Sequence, residues 1–335
     1  MSAATVQPRA AWWPPELRGL PWVTWRQHRV ALAGIVALLG GLGVLLLVNG
    51  LAMHSDYTKL GLNSCGNVIG PACQEPFTVF HRRYGTWVSY LPRIMEFIPA
   101  LIGVFLGAPL VARELESGTF RFAWTQGRSR VQWIATKLAL LATLVTILAL
   151  AFSFLFSWWY QPWLAIAGRM QPGDAYEVTG LVFTARTLFG FMLGALLGTL
   201  IRRTVPAMAA TAAAWLAVVW PSVIYLRPLI EKPITARAGP KSDIPTSWQV
   251  DTWFENAAGH RLSQSQVFNL FTPSSNGAEP IDFGARLAKL HYTDWVSYQP
   301  ASRFWHFQTV EASTYVVVAL LLAVGTVLWL RRRAV

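Results

Sequence analysis

The chain has 335 residues, of which 54% are hydrophobic and only 13% are charged. A soluble globular domain carries roughly a quarter charged residues, so this composition excludes a soluble enzyme, and it equally excludes a disordered or collagen-like chain. With 17 Trp, 18 Phe and a positive mean hydropathy of +0.39, the composition indicates an integral membrane protein.

Six apolar runs are each long enough, at roughly 20 residues, to cross a bilayer as a helix. Because only helices satisfy every backbone group in lipid at this hydrophobicity, the sequence predicts an all-α integral membrane protein with six transmembrane helices. The predicted spans are Val30–Met53, Ile94–Ala112, Leu138–Trp158, Leu181–Ile201, Pro206–Leu226 and Val310–Leu330.

The basic residues predict the orientation of these spans. If the N-terminus is cytoplasmic, the inner segments are 1–29, 113–137, 202–205 and 331–335, and they hold 14 Lys and Arg against three acids. The outer segments hold equal numbers of basic and acidic residues. This asymmetry follows the positive-inside rule, so we expect both termini in the cytoplasm (N-in/C-in) and no nucleic-acid partner for the net charge of +12.

The spans divide the chain into four regions. We expect a cytoplasmic tail with an amphipathic interfacial helix, five spans with an outer loop at 54–92 and a cytoplasmic loop at 113–137, an extracytoplasmic segment, and a sixth span with a basic tail. Their boundaries are 1–29, 30–226, 227–309 and 310–335. The third region could form a subdomain of short helices on the membrane surface, but its poor periodicity leaves its fold open.

Both cysteines of the chain, Cys65 and Cys73, fall in the predicted outer loop. In an oxidising exterior they could form a disulfide, and the Gly and Pro residues between them suit a turn. Two free thiols are the alternative.

Three charged residues lie at the outer ends of spans two and four. Arg93 and Glu96 are three residues apart and able to pair on a helix, whereas Arg186 lies about one turn inside span four. We consider two interpretations. Glu96 and Arg186 could meet at the mouth of a transport pathway, or Arg186 could extend to the membrane surface, as long basic side chains do.

Span four also carries a ridge of glycines, Gly190, Gly194 and Gly198, spaced four residues apart. Small residues at this spacing let helices approach closely in lipid. The ridge is therefore predicted to pack against another helix, either inside one protomer or between two subunits.

The usual motifs of enzymatic chemistry are missing from the sequence. It contains no phosphate-binding loop, no H-E-x-x-H zinc motif and no G-x-S-x-G nucleophile elbow. We therefore expect a chain that is not itself an enzyme, with no catalytic residue and no metal or cofactor of its own.

The cytoplasmic loop between spans two and three has the most distinctive sequence. It begins with two acids and a glycine that can end a helix, followed by a threonine that can cap the next one. Aromatic and basic residues come after these. In chain order the residues are Glu114, Glu116, Gly118, Thr119, Phe120, Trp124, Arg128 and Arg130. Taken alone, the acidic pair could also be a solvated helix end.

This loop resembles the cytoplasmic loop of type-2 ATP-binding-cassette (ABC) transporter permeases. The segment Trp124-Thr125-Gln126 and the N-terminal stretch 22–29 are similar to an actinobacterial branch of that family. The resemblance implies that the loop forms a coupling helix seated on a separate ATPase subunit, which binds the ATP and Mg. It also implies that a second permease copy, identical or similar, completes the transporter in the bacterial plasma membrane, surrounded by lipids.

Together with the apolar composition, this resemblance implies the permease subunit of an ATP-driven exporter for an unidentified, lipophilic substrate. Two alternatives from other classes stay open. One is a membrane anchor or accessory protein whose outer segment binds a partner. The other is an ion-coupled secondary carrier, although such carriers keep acidic or histidine relays inside the membrane.

Overall fold

In a computed structural model of the chain, the structure describes residues 20–65, 71–118, 130–237, 246–263, 265–267 and 291–332. Within these ranges, six helices are long and apolar enough to cross a membrane, which confirms the predicted number of spans. We call them spans one to six: His28–Lys59, Cys73–Ser117, Val131–Leu164, Gly180–Ile201, Thr204–Leu229 and Ala301–Arg332.

The spans are built from eight α-helices. In chain order these are α1 (Leu20–Lys59), α2 (Pro71–Met95), α3 (Ile98–Ile102), α4 (Ala108–Ser117), α5 (Arg130–Ala167), α6 (Gly180–Ile201), α7 (Thr204–Pro221) and α8 (Phe304–Arg332). Wide π-helical turns at Gly103–Gly107 and Ser222–Leu226 join α3 to α4 and extend α7. Short 3-10 turns lie at Leu62–Ser64, Ala175–Glu177, Arg227–Leu229 and Ala301–Arg303.

Two N-terminal segments differ from the sequence expectation. Residues 20–29 begin α1 and run into span one without a break, rather than forming a separate interfacial helix. Most of the expected outer loop 54–92 is also helical, because α1 continues to Lys59 and α2 begins at Pro71. The sequence of α2 does not stand out as a continuous apolar run, because its apolar residues concentrate on one face of the helix, where Phe80 and Tyr84 are buried four residues apart.

The segment between spans five and six contains a β-sheet, so the all-α prediction is wrong for this part of the chain. Its strands are β1 (Ile234–Arg237), β2 (Trp248–Asn256), β3 (Arg261–Ser263) and β4 (Tyr292–Gln299). They form an antiparallel sheet in the order β1-β4-β2-β3, with Trp253 opposite Trp295. These strands are rich in Thr, Val, Trp and Tyr, residues that favour a pleated, half-buried surface.

The sheet is attached to one end of the helical bundle, which we call the sheet end. Trp248 at the start of β2 packs edge-on against Phe307 of span six, with ring centroids 6.0 Å apart. Gln171, in the connection between spans three and four, donates from Nε2 to the backbone oxygen of Ser247 at 3.0 Å. The opposite end, where residues 118, 130 and 202 lie, is called the loop end.

Span four is the centre of the bundle. In its most apolar window 72% of the residues are buried, compared with 22% in spans five and six. The outer spans expose large apolar side chains, such as Phe154, Val205 and Leu321, on the faces that a bilayer would cover. Span four begins without a side-chain cap of its own. Gln308 of span six takes this role, since its side-chain oxygen accepts hydrogen bonds from the backbone nitrogens of Leu181 and Val182, both at 2.9 Å.

Candidate functional site

At the loop end, Glu114 and Lys137 join spans two and three. Both side chains are buried, and the Nζ of Lys137 donates a hydrogen bond to the Glu114 carboxylate. The same ammonium lies 4.5 Å from the ring centroid of Trp133, one turn earlier in α5. Glu114 therefore neutralises a buried cation inside the bundle and does not point freely toward solvent.

The second acid, Glu116, joins span two to the start of span five. One of its carboxylate oxygens accepts a hydrogen bond from the backbone nitrogen of Thr204 at 2.9 Å and another from its hydroxyl at 2.7 Å. Thr204 is the first residue of α7, and a carboxylate there satisfies a helix donor and complements the helix dipole. The acidic pair thus fixes the end of span two to two neighbouring spans.

Gly118 ends α4 in the left-handed conformation, with φ 70°, which glycine adopts without steric cost. The loop residues that follow, Thr119, Phe120, Trp124 and Arg128, lie outside the described residues. Arg130 begins α5. The two ends of the predicted coupling loop are therefore placed, whereas its middle is not described.

The glycine ridge of span four packs against span two within the chain. A Cβ added to Gly190 would lie 2.6 Å from the carbonyl oxygen of Pro99, and one added to Gly194 would lie 2.6 Å from the backbone nitrogen of Ala108. A Cβ on Gly198 would collide with the carbonyl oxygen of Ala108. The two backbones are in direct contact along the ridge, and only glycine permits this approach.

Near the sheet end, four charged side chains form a buried network. Glu311 of span six accepts hydrogen bonds from Arg186 of span four at 2.5 Å and from Nε of Arg227 at 2.9 Å. Arg227, at the end of span five, also donates to Glu177 at 2.8 Å. All four residues are less than a tenth exposed, so the network links three spans and the connection before span four.

Aromatic and hydroxyl groups enclose this network. The guanidinium of Arg227 lies 4.2 Å from the ring centroid of Tyr176, whose hydroxyl donates to Glu311 at 3.3 Å. Tyr315 lies beneath Arg186 and shares a 2.5 Å hydrogen bond with Ser222. The charges of the network are thus mutually compensated, as buried charges must be.

The three residues expected at a pathway mouth do not pair with one another. Arg186 is enclosed by protein and pairs with Glu311. Its side chain therefore does not extend to the membrane surface, as one of the two interpretations had it. Arg93 donates to Asp174 at 3.4 Å. Burial raises the pKa of the Asp174 carboxyl, and the neighbouring Arg93 opposes that increase. Glu96 and Arg186 nevertheless line the same cavity of about 230 Å³.

Cys65 and Cys73 are joined by a disulfide across eight positions of sequence. It connects the turn after α1 to the first turns of α2. Among the described residues, no three His, Cys, Asp or Glu side chains are grouped in a way that could hold a metal ion.

Three members of the buried network, Glu177, Arg227 and Glu311, were not predicted from the sequence. Glu311 had a detectable signal, because it lies inside the apolar run of span six, where an acid is rare unless paired. No such signal marks Arg227 and Glu177, since both fall just beyond the predicted span boundaries and resemble ordinary residues of outer connections.

Comparison with known proteins gives one family match. The profile of the family described as "ABC-2 membrane transporter related" matches residues 36–227, which is more than half of the chain and covers spans one to five almost entirely. No curated protein and no solved structure matches the chain. The chain therefore belongs to the ABC-2 membrane transporter related family and is a membrane permease of an ABC transporter.

Proposed function

We propose that the chain is the permease subunit of an ABC exporter in a bacterial plasma membrane, with both termini in the cytoplasm. A separate ATPase subunit binds and hydrolyses ATP with Mg, and a second permease copy completes the pathway for a lipophilic substrate. The observation that carries this proposal is the family match over residues 36–227. The charge asymmetry of the sequence supports the orientation.

The contacts at the loop end support a coupling role for residues 113–137. A coupling element must transmit movement from its docking partner to the spans. Here Glu114 fixes the first end of the loop to span three and Glu116 fixes it to span five. Arg130 at the second end continues directly into α5. A displacement of the loop therefore acts on three spans at once.

The mechanism then follows from differential binding. ATP binding draws the two ATPase subunits together and moves the loops docked on them. Because a ligand shifts a conformational equilibrium only through its different affinity for the two states, the ATPase must hold the loops more tightly in one arrangement of the spans. The residues expected to contact it are Phe120, Trp124, Arg128 and Arg130, because Glu114 and Glu116 are engaged within the bundle.

Co-purification with an ATPase tests the partner. The wild-type chain should retain a phosphate-loop ATPase through affinity purification from its native membrane, and Trp124→Ala should lose it because the predicted docking face loses its aromatic anchor. Trp305→Ala is the matched control, since this half-exposed ring lies at the sheet end. Transport by the purified chain alone, without any ATPase, would instead support an ion-coupled carrier.

Cysteine labelling tests the orientation. The two native cysteines are paired and so do not react with maleimide, which leaves a single introduced thiol as the only target. Arg128→Cys should react with a membrane-impermeant maleimide only after the cells are permeabilised. Asp294→Cys, on the sheet, should react in intact cells. The opposite pattern would contradict the proposed topology.

A further inference from the structure

A cavity at the sheet end is lined by one carboxyl group that has no hydrogen-bond or ion-pair partner among the described residues. It lies between spans two, four and five and has a volume of about 230 Å³. Glu96, Glu177 and Arg186 form its polar wall, and Phe97, Trp215 and Trp220 form much of its apolar wall. It is large enough for a small organic molecule and contains both charge and aromatic surface.

Glu96 differs from the other charged groups around the cavity. Glu177, Arg186 and the adjacent Arg227 are held in the buried network by the hydrogen bonds described above. No hydrogen bond or ion pair joins the Glu96 carboxyl to any group within the described part of the chain. A carboxylate inside a membrane protein raises the free energy of the folded state unless a counter-charge or a hydrogen-bond donor compensates it.

Two of the lining residues also carry a buried donor that has no acceptor among the described residues. These donors are Nε of Arg186 and Nε1 of Trp215, which have no hydrogen-bond partner within the part of the chain that the structure describes. Buried polar atoms in native proteins are nearly always satisfied, by protein or by something bound to it. The cavity wall combines charged, aromatic and aliphatic groups, which distinguishes it from a purely apolar packing defect.

The charges that face the cavity determine the sign of the ligand that it can bind. The groups that interact electrostatically with Glu96 are Glu177, Arg186, Arg227 and Arg93. Glu311 and Asp174 neutralise Arg186 and Arg93 in turn. The complete set contains three arginines and four carboxyl groups, so the site carries one net negative charge when Glu96 is ionised and none when Glu96 is protonated. A monovalent cation balances the ionised site, whereas an anion adds to its excess.

We propose that this cavity binds a monovalent organic cation with an apolar body. The cationic group lies beside Glu96, where the faces of Trp215, Trp220 and Phe97 add cation–π attraction, and the apolar part contacts the aliphatic side chains of span five. Binding of such a cation is a property of the chain alone. That the cation is the transported substrate is a further step that depends on the proposed function.

The test is equilibrium dialysis of the purified full-length chain in detergent against radiolabelled benzyltrimethylammonium, a permanently charged probe of suitable size. We expect saturable binding that excess unlabelled probe displaces and that benzenesulfonate, an anion of similar size, does not. Glu96→Gln should weaken binding by about tenfold or more, equivalent to about 1.4 kcal/mol. Glu75→Gln, an exposed acid of α2, should bind as the wild type does.

Trp220→Leu provides a second variant in case Glu96→Gln does not fold. This half-exposed ring is not part of the buried network, and its loss should weaken binding several-fold through the missing cation–π contact. Unchanged binding in a folded Glu96→Gln protein, or equal displacement by benzenesulfonate, would overturn the inference. Either result leaves the proposed ATPase coupling untouched, whereas failure of ATPase co-purification leaves cation binding untouched.

Discussion

The substitution Glu311→Gln removes the central charge of the buried network while preserving the shape of the side chain. The carboxylate accepts four hydrogen bonds, from Arg186 at 2.5 Å, from Arg227 at 2.9 and 3.1 Å, and from Tyr176 at 3.3 Å. The amide replaces one acceptor oxygen with a donor that faces these guanidinium groups. Arg227 keeps Glu177 as a partner, but Arg186 loses its only carboxylate among the described residues.

The expected loss of stability comes from the guanidinium of Arg186, which the substitution leaves without a counter-charge. Arg186 is only 2% exposed, so water cannot replace the lost partner. Removing one member of a buried ion pair costs about 3–5 kcal/mol, because it leaves an uncompensated charge in a medium of low dielectric constant. An exposed ion pair is worth only about 0–1 kcal/mol. Glu255→Gln, which removes the exposed pair of Glu255 with Arg261 on the sheet, is therefore the matched control.

The assay is equilibrium unfolding of the purified protein in mixed detergent, followed by far-UV circular dichroism. Glu311→Gln should lower the free energy of unfolding by the larger amount, and Glu255→Gln should leave it nearly unchanged. Adding Arg186→Gln to Glu311→Gln should recover part of the loss, since the orphaned charge is then removed. Equal effects of the two single substitutions, or strict additivity in the double variant, would refute this reasoning.

Three further substitutions test other contacts. Gly194→Leu should prevent correct assembly, visible as aggregation in size-exclusion chromatography, because span two leaves no room for a side chain; Gly34→Leu, with open space around it, should elute normally. Replacing Cys65 and Cys73 with Ser should lower the free energy of unfolding by about 2–3 kcal/mol through loop entropy, and unchanged stability would contradict this. Gln308→Leu leaves two backbone donors unsatisfied and should cost about 1–3 kcal/mol in the same unfolding assay; a loss under that range would mean that water caps the helix.

The features that the sequence predicts are those determined locally. Apolar runs of bilayer length indicate the six spans, and the spacing of Gly190, Gly194 and Gly198 indicates a close helix contact. Neither signal identifies the partner, because span two reaches this ridge through Pro99, Gly103 and Ala108, whose roles depend on packing between distant segments.

The features that were missed depend on tertiary partners. Glu114 reads as a surface acid and becomes a buried partner only because Lys137 is placed beside it by the following helix. Glu311 pairs with arginines 84 and 125 positions away. The sheet is also non-local, since β4 joins β1 and β2 across long intervening segments.

The backbone contact between spans two and four has a mechanical consequence. Side chains can change rotamer and let neighbouring helices slide, but peptide groups pressed against each other cannot pass without collision. We therefore expect spans two and four to move as one unit. We expect any change of shape in the transporter to occur at helix contacts made by side chains and to leave the contact between spans two and four intact.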